Sequence, residues 1–150
     1  MRYLLDTNIL LAYLRRNEAT KTHIDQVYNP FDAANYPIIS AVTLGELESI
    51  VLQNDWGETR KKQLFNLVNQ LIVIDIYAED IIQKYAEIDA FSQGRLKNKP
   101  LNTSARNMSK NDLWIAATAS TINAQLLTTD QDFRHLHNQF LQLIEIPIMG

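Results

Sequence analysis

Cysteine is absent from the chain of 150 residues, which excludes disulfide bonds and thiolate zinc sites. A chain without cysteine suits a reducing compartment, so the sequence predicts a cytoplasmic protein. Long apolar runs are missing as well. No segment reaches the roughly 20 residues that cross a bilayer, and no secretory hydrophobic region opens the sequence. We therefore expect no membrane partner.

Histidine is scarce, and the three that occur are too scattered to indicate a histidine metal site. They are His23, His135 and His137. The last two lie in a segment typical of a helix or turn, where side chains two positions apart point in different directions. The sequence therefore predicts three ordinary surface histidines.

Positive charge is in deficit overall, because the formal net charge is −3. A constitutive nucleic-acid binder needs Lys and Arg to neutralise phosphates, so the overall charge argues against that class. One stretch reverses the balance. Residues 94–111, here called the basic segment, contain five of the 14 Lys and Arg residues and none of the 17 Asp and Glu residues. These five are Arg95, Lys97, Lys99, Arg106 and Lys110. The segment is either a solvated surface or a contact surface for substrate.

Short apolar segments alternate with longer segments of helical periodicity. Strands are predicted at residues 2–5, 37–40, 71–75, 125–128 and 141–146. Helices are predicted at residues 8–16, 19–28, 43–54, 58–71, 78–92, 109–122 and 130–136. A polar loop at residues 93–108 interrupts them, and such a long loop in a compact domain is usually functional or mobile. The pattern predicts one α/β domain over residues 1–150, with a mostly parallel sheet of four to five strands and helices on both faces.

Acidic residues stand where predicted strands give way to helices. Asp6 directly follows the first strand, Glu46 follows the second by six residues, and Asp130 follows the fourth by two, with Asp132 close behind. Asp112 opens a helix after the basic segment, without a strand immediately before it. Ligands of parallel sheets bind beyond the carboxyl ends of the strands. We therefore expect these carboxylates to gather at one edge of the sheet.

Each acid has an ordinary structural explanation. Thr43 and Glu46 have the spacing of a capping box, and so do Ser109 and Asp112. The remaining acids could be plain N-caps, since a carboxylate at a helix start is favourable in any case. Taken singly, each acid fits a helix cap better than a functional site.

Taken together, the acids favour a metal site, because gathered carboxylates repel one another unless a cation neutralises them. A set of oxygen ligands suits Mg²⁺ or Mn²⁺, which keep water molecules that a substrate phosphate can displace. Three polar residues are placed to orient the acids, namely Asn8, Asn111 and Thr128. The chemistry that this set indicates is metal-assisted hydrolysis of a phosphodiester.

Four short segments carry a family resemblance that covers the chain from Asp6 to Phe133. They are residues 5–9 (LDTNI), 40–47 (SAVTLGEL), 111–117 (NDLWIAA) and 127–133 (LTTDQDF). In this order they resemble the four acidic motifs of PIN-domain ribonucleases. The length and the third segment most resemble VapC-type toxins of bacterial type II toxin–antitoxin modules.

The resemblance implies a metal-dependent endoribonuclease in which a metal-bound water attacks an RNA phosphodiester. The implied ligands of one or two Mg²⁺ or Mn²⁺ ions are Asp6, Glu46, Asp112 and Asp130, with Asp132 as a candidate auxiliary ligand. The implied partners are RNA, a second copy of the chain in a homodimer, and a small cognate VapB-like antitoxin.

Three alternatives remain open from the sequence. The chain could be a PIN-like nuclease of RNA processing outside a toxin module. It could be a metal-dependent phosphatase acting on small phosphoesters, although such substrates need few distributed cations and leave the basic segment unexplained. It could also be a binding module without catalysis, whose acids only cap helices.

Overall fold

The computed structural model describes residues 1–15 and 17–148. Five parallel strands form one sheet in the order β3-β2-β1-β4-β5. The strands are β1 (Arg2–Leu5), β2 (Tyr36–Ser40), β3 (Ile72–Ile74), β4 (Gln125–Thr128) and β5 (Gln142–Glu145). The prediction of a single α/β domain with a parallel sheet is confirmed.

Six α-helices and one 3₁₀ helix connect the strands in the described part of the chain. The helices are α1 (Thr7–Leu14), α2 (Glu18–Val27), α3 (Ala41–Gln53), α4 (Glu58–Val68), α5 (Glu79–Ser92) and α6 (Lys110–Thr121). The 3₁₀ helix covers Gln131–Leu136. The predicted helix at 8–16 ends at Leu14, and Arg16 lies outside the described residues.

The helices pack on both faces of the sheet because successive strand residues point to opposite sides. In β1, Leu4 packs into a core with α5, α6 and the 3₁₀ helix, whereas Tyr3 and Leu5 pack into a core with α1 to α4. Ala116 and Ala117 of α6 are fully buried, and their small side chains let this helix lie close to the sheet. The start of α6 is thereby fixed relative to the ends of β1 and β4.

Several predicted boundaries shift by one to three residues. The helix predicted at 43–54 begins at Ala41, because the hydroxyl of Ser40 accepts a hydrogen bond from Val42 N (3.1 Å) and caps the helix. The helix predicted at 58–71 ends at Val68, and a bend separates it from β3. No helix among the described residues is both long and apolar enough to cross a membrane.

The prediction of a surface side chain is wrong for His135. This side chain is half-buried, and its ring lies parallel to that of Phe91, with 6.2 Å between the ring centroids. Burial, and then the nearby charge of Arg106, lowers the pKa of His135 to about 4, so the imidazole is neutral at pH 7. Local sequence does not indicate this environment, because the packing partner lies in a distant helix.

Candidate metal centre

Asp6 directly follows β1, caps α1 and is buried, with a relative exposure of only 5%. Its Oδ1 accepts a hydrogen bond from Thr7 N (2.8 Å), and its Oδ2 accepts one from the hydroxyl of Thr128 (2.6 Å). Burial raises the pKa of Asp6 and the charges of Glu46 and Asp130 raise it further, while the two hydrogen bonds act in the opposite direction. Asp6 is therefore both a helix cap and a constrained carboxylate among other acids.

Glu46 lies in the second turn of α3, half-buried, and its Oε1 accepts a hydrogen bond from the hydroxyl of Thr7 at 3.0 Å. The alternative of a capping box formed by Thr43 and Glu46 is wrong, because Ser40 is the N-cap of this helix. Thr43 is fully buried, and its hydroxyl has no hydrogen-bond partner among the described residues. The orientation of Glu46 is set by α1, not by the start of its own helix.

Asp112 lies in the first turn of α6, where its backbone N–H donates to the Oγ of the N-cap Ser109 at 3.2 Å. Its carboxylate is half-buried. Burial, followed by the charge of Asp6, raises the pKa of Asp112 to about 6, with smaller contributions from Asp130 and Glu46. The four acids predicted at the junctions thus lie close enough to influence one another's ionisation.

Asp130 is the N-cap of the 3₁₀ helix, and its Oδ1 accepts a hydrogen bond from Asp132 N at 2.9 Å. Its own N–H donates to the Oγ1 of Thr128 at 3.0 Å, and that hydroxyl in turn donates to Asp6. Thr128 is fully buried. One threonine hydroxyl therefore connects the carboxyl ends of β1 and β4.

Three of the carboxylates converge. Asp112, Asp130 and Asp132 each offer one oxygen, and these three oxygens all lie within 4.8 Å of one another. This separation allows all three to contact one cation after small rotations of the side chains. An all-oxygen set among carboxylates that repel one another fits a hard divalent cation such as Mg²⁺ or Mn²⁺. Asp132, expected only as an auxiliary ligand, belongs to this closest group.

The polar residues expected to orient the acids differ in their surroundings. Thr128 bonds directly to Asp6, whereas Asn8 and Asn111 are exposed and donate no hydrogen bond to a carboxylate within the described residues. Asn111 instead lines an open groove of about 490 Å³ between α3 and the start of α6, opposite Glu46. The hydrogen bond from Thr7 to Glu46 is not predictable from local sequence, because the two residues lie 39 positions apart.

The basic segment does not form one uniform surface. Arg95, Lys97 and Lys110 are exposed. Lys99 places its Nζ over the ring of Phe140, 5.1 Å from the centroid. Arg106 is half-buried, and its Nη1 donates to the backbone oxygen of Asp132 at 3.5 Å.

Lys99 shares a cavity with Ser120. Ser120 stands eight residues beyond Asp112 in α6, about 12 Å along the helix axis. Lys99 therefore belongs to the opposite end of α6 from the acids, while Arg106 borders them directly.

A larger cavity lies elsewhere in the molecule. It has a volume of about 830 Å³ between α1, α2 and α4, with Tyr13, Phe31 and Leu67 among its lining residues. None of the five acids lines it. The chemistry of the carboxylates, rather than cavity size, therefore identifies the candidate site.

Solved structures similar to this chain are toxin–antitoxin complexes. VapBC2 from Rickettsia felis, bound to a DNA fragment from its promoter, has a TM-score of 0.74 at 24% identity, over 97% of this chain and 98% of the other. VapBC-1 from nontypeable Haemophilus influenzae has a TM-score of 0.69 at 24% identity, over 97% and 98%. A toxin–antitoxin complex from Klebsiella pneumoniae has a TM-score of 0.70 at 17% identity, over 98% and 99%. At these identities the similarity establishes the fold.

No curated protein sequence matches the chain. The PIN domain family matches residues 3–138, which include most of β1, all of β2 to β4, every described helix and all five acids of the site. The order of the acidic segments along the chain agrees with that assignment. The chain therefore belongs to the PIN-domain family.

Proposed function

We propose that the protein is a metal-dependent endoribonuclease and the toxin of a type II toxin–antitoxin module. The observation that carries the proposal is the convergence of Asp112, Asp130 and Asp132, whose carboxylate oxygens lie within 4.8 Å of one another. A buried Asp6 and a half-buried Glu46 complete the set. So many acids at one edge are costly for the folded state unless a cation binds there.

The residues that would hold Mg²⁺ or Mn²⁺ are Asp112, Asp130 and Asp132, together with Asp6 and Glu46. A divalent ion at such a site lowers the pKa of a bound water and stabilises negative charge on a phosphodiester. The chain itself supplies orientation. Thr128 and Thr7 fix Asp6 by hydrogen bonds of 2.6 and 2.8 Å, and Thr7 also fixes Glu46.

Two surfaces support RNA as the substrate. The groove between α3 and α6 is open and contains Glu46 and Asn111, so an extended strand can reach the acids from the solvent. Arg95, Lys97 and Lys110 are exposed cations of the basic segment, and such side chains bind a polynucleotide backbone. A phosphatase for small phosphoesters would need neither surface.

The partner proposal is a VapB-like antitoxin that blocks the site, and the protein itself is proposed to be a homodimer. The similar structures are toxin–antitoxin complexes, which supports the antitoxin, whereas the homodimer is what the family resemblance implies. A small reading frame next to this gene, encoding a DNA-binding protein that copurifies with the chain and suppresses RNA cleavage, would support the toxin role. A nuclease of RNA processing would lack such a neighbour.

The decisive experiment compares the protein with its Asp6→Asn variant on a mixed RNA substrate. We expect cleavage with Mg²⁺ or Mn²⁺, and its loss in EDTA and in the variant, because the amide cannot replace the carboxylate charge. The thermal unfolding of the variant serves as the control for folding. Cleavage that continues in EDTA or in folded Asp6→Asn contradicts the proposal.

Two further measurements separate the alternatives. Hydrolysis of nitrophenyl phosphate without cleavage of RNA would identify a phosphatase. A calorimetric titration with Mn²⁺ that shows no binding, together with an unchanged melting temperature, would identify a binding module whose acids only cap helices.

A further inference from the structure

Ser92, the last residue of α5, contacts both segments that bring carboxylates to the site. It is fully buried. Its Oγ lies 2.7 Å from Nε2 of His135 in the 3₁₀ helix and 3.3 Å from Sδ of Met108. Its backbone oxygen accepts a hydrogen bond from Arg106 N at 2.8 Å. One buried residue therefore links the 3₁₀ helix to the chain that leads into α6.

The His135 ring is held by more than this hydrogen bond. It is stacked on Phe91 with an angle of 4° between the rings, and Phe91 itself is buried. On the same 3₁₀ helix, Phe133 and Leu136 are fully buried and anchor the apolar side. The bond from His135 to Ser92 is thus a polar contact that fixes the rotation of the short helix relative to α5.

The two linked segments carry the three converging acids. Met108 immediately precedes Ser109, the N-cap of α6, and Asp112 lies in the first turn after it. Asp130 and Asp132 lie at the start of the 3₁₀ helix. The contacts at Ser92 therefore join the segment that carries Asp112 to the segment that carries Asp130 and Asp132.

We propose that Ser92 and His135 are positioning residues that set the separation of the Asp112 carboxylate from those of Asp130 and Asp132, and thereby the affinity for a divalent cation. This inference rests on the proposed metal site. Mg²⁺ and Mn²⁺ are sensitive to such placement, because their oxygen ligands must meet a nearly fixed geometry. Residues that orient metal ligands through a hydrogen bond typically change metal affinity by about 10- to 100-fold when they are replaced.

Calorimetric titration with Mn²⁺ tests the proposal in matched variants. His135→Phe keeps an aromatic ring next to Phe91 but removes the hydrogen bond, and Ser92→Ala removes the other partner. We expect each variant to bind Mn²⁺ about tenfold more weakly, and the double variant to bind no more weakly than Ser92→Ala alone, because Ser92→Ala already lacks the bond to His135 together with the contact to Met108. His135→Gln, whose amide can reach the position of Nε2, should recover most of the affinity.

Two controls separate positioning from a general loss of stability. His23→Gln changes a histidine of α2, far from Ser92 in the fold, and should bind Mn²⁺ like the parent protein. Ile24→Val removes a methyl group from a fully buried residue of α2, lowering stability by about 1 kcal/mol, and should also leave Mn²⁺ affinity unchanged. Weaker Mn²⁺ binding by Ile24→Val would assign the effect to stability and overturn the proposal.

Amide hydrogen exchange of the metal-free protein gives a second readout. In His135→Phe, the amides of Asp132 and His137 at the two ends of the 3₁₀ helix should exchange at least about threefold faster, with no change at Leu4 in β1. The proposal is overturned if His135→Phe and Ser92→Ala bind Mn²⁺ like the parent, or if Gln at position 135 fails to recover binding. If the parent itself binds no Mn²⁺, the proposed function fails, and unchanged exchange in His135→Phe would separately reject the positioning role.

Discussion

Asp112 combines burial of its carboxyl group with repulsion from the other acids. Its pKa rises to about 6 because of burial and the charges of Asp6, Asp130 and Glu46. Between about pH 4 and pH 6 the folded protein therefore keeps a proton on Asp112, whereas the unfolded chain, with an ordinary carboxyl pKa of 3.8, has released it. This contribution to stability is complete below about pH 4 and is lost as the pH rises through about 6.

We predict that Asp112→Asn stabilises the metal-free protein near pH 8, because the uncharged amide avoids the cost of burying a charge and removes the repulsion from the other acids. The expected gain is about 1 kcal/mol, smaller than the full pKa shift would give because the carboxylate is partly exposed to solvent. Urea unfolding in EDTA at several pH values measures it. The advantage should disappear below about pH 4, and an advantage that does not depend on pH would contradict this explanation.

His135 changes stability with pH in the opposite direction to Asp112, so its contribution must be separated from that of Asp112. Its pKa is lowered to about 4, so its contribution to stability is present above about pH 6.5 and is lost as the pH falls toward 4. Comparing Asp112→Asn with its parent at each pH cancels this contribution, because both proteins contain His135.

The acids of the site can be predicted from the sequence because each belongs to a local pattern. Asp6 directly follows a strand, and Asp112 stands three residues after its N-cap. The bond from Thr7 to Glu46 does not follow from a local pattern, since the two residues meet only when α1 and α3 pack together. The bond between His135 and Ser92 does not follow from one either, because Ser92 lies 43 residues away in the sequence.

One glycine within α3 and one just after α5 form an informative pair. Gly45 is in the interior of α3, exposed, with nothing within 4 Å of the place where a Cβ would stand. Gly94 follows α5 with a φ of +73°, a conformation that side chains of L-residues rarely adopt. The two positions therefore respond oppositely to the same substitution.

We predict that Gly45→Ala raises the free energy of unfolding by about 0.5–1 kcal/mol, because alanine is the better helix former and the site is open. Gly94→Ala should lower it by about 1 kcal/mol through the left-handed backbone. Chemical denaturation of both variants checks the pair. Stabilisation at both positions would show that the turn after α5 relaxes.

The basic segment gives a second prediction about an element. Neutralising Arg95, Lys97 and Lys110 together should weaken RNA binding and flatten its dependence on salt, by roughly one unit of slope for each phosphate that is no longer neutralised. Neutralising Arg60, Lys61 and Lys62, three exposed cations of α4, is the control matched in charge. Filter binding or fluorescence anisotropy at several salt concentrations measures RNA binding by both variants. Equal salt dependence in the two variants would mean that the basic segment is an ordinary solvated surface.

Helices and strands are predictable where local periodicity decides them and less so at their ends. The start of α3 differs from the prediction because Ser40 both ends β2 and caps the helix, which the apolar pattern does not reveal. The different positions of Lys99 and Arg106 are also beyond local prediction, since Phe140 and Asp132 contact them from later parts of the chain.

In the whole molecule, the strand order explains why the acids meet. β1 lies between β2 and β4, so the chain leaves β1 toward one side of the sheet and later returns on the other. Such a reversal of strand order opens a crevice at the carboxyl ends, where ligands bind. Alternating strands and helices are sufficient to predict the sheet, but the order of strands follows only from long-range packing.

We predict that Mn²⁺ stabilises the whole domain, because only the folded chain brings the acids together. At a concentration of about 100 times the dissociation constant the gain is about 2.7 kcal/mol, or roughly 5–10 °C in melting temperature for a chain of this size. Differential scanning fluorimetry measures the shift. Asp130→Asn should reduce it, and an equal shift in that variant would indicate cation binding elsewhere.

The hydrogen bond from Thr128 to Asp6 has a consequence for the synthesis of the protein. It joins residues 122 positions apart, and β1 pairs along its other edge with β2 and along this one with β4. A ribosome exposes the chain from its N-terminus, so Asp6 emerges long before Thr128, Asp130 and Asp132 can meet it. The set of acids is complete only when nearly the entire domain has been translated. Nascent or prematurely terminated chains therefore lack the complete set of acids, and any activity that needs this set begins only when the chain is nearly finished.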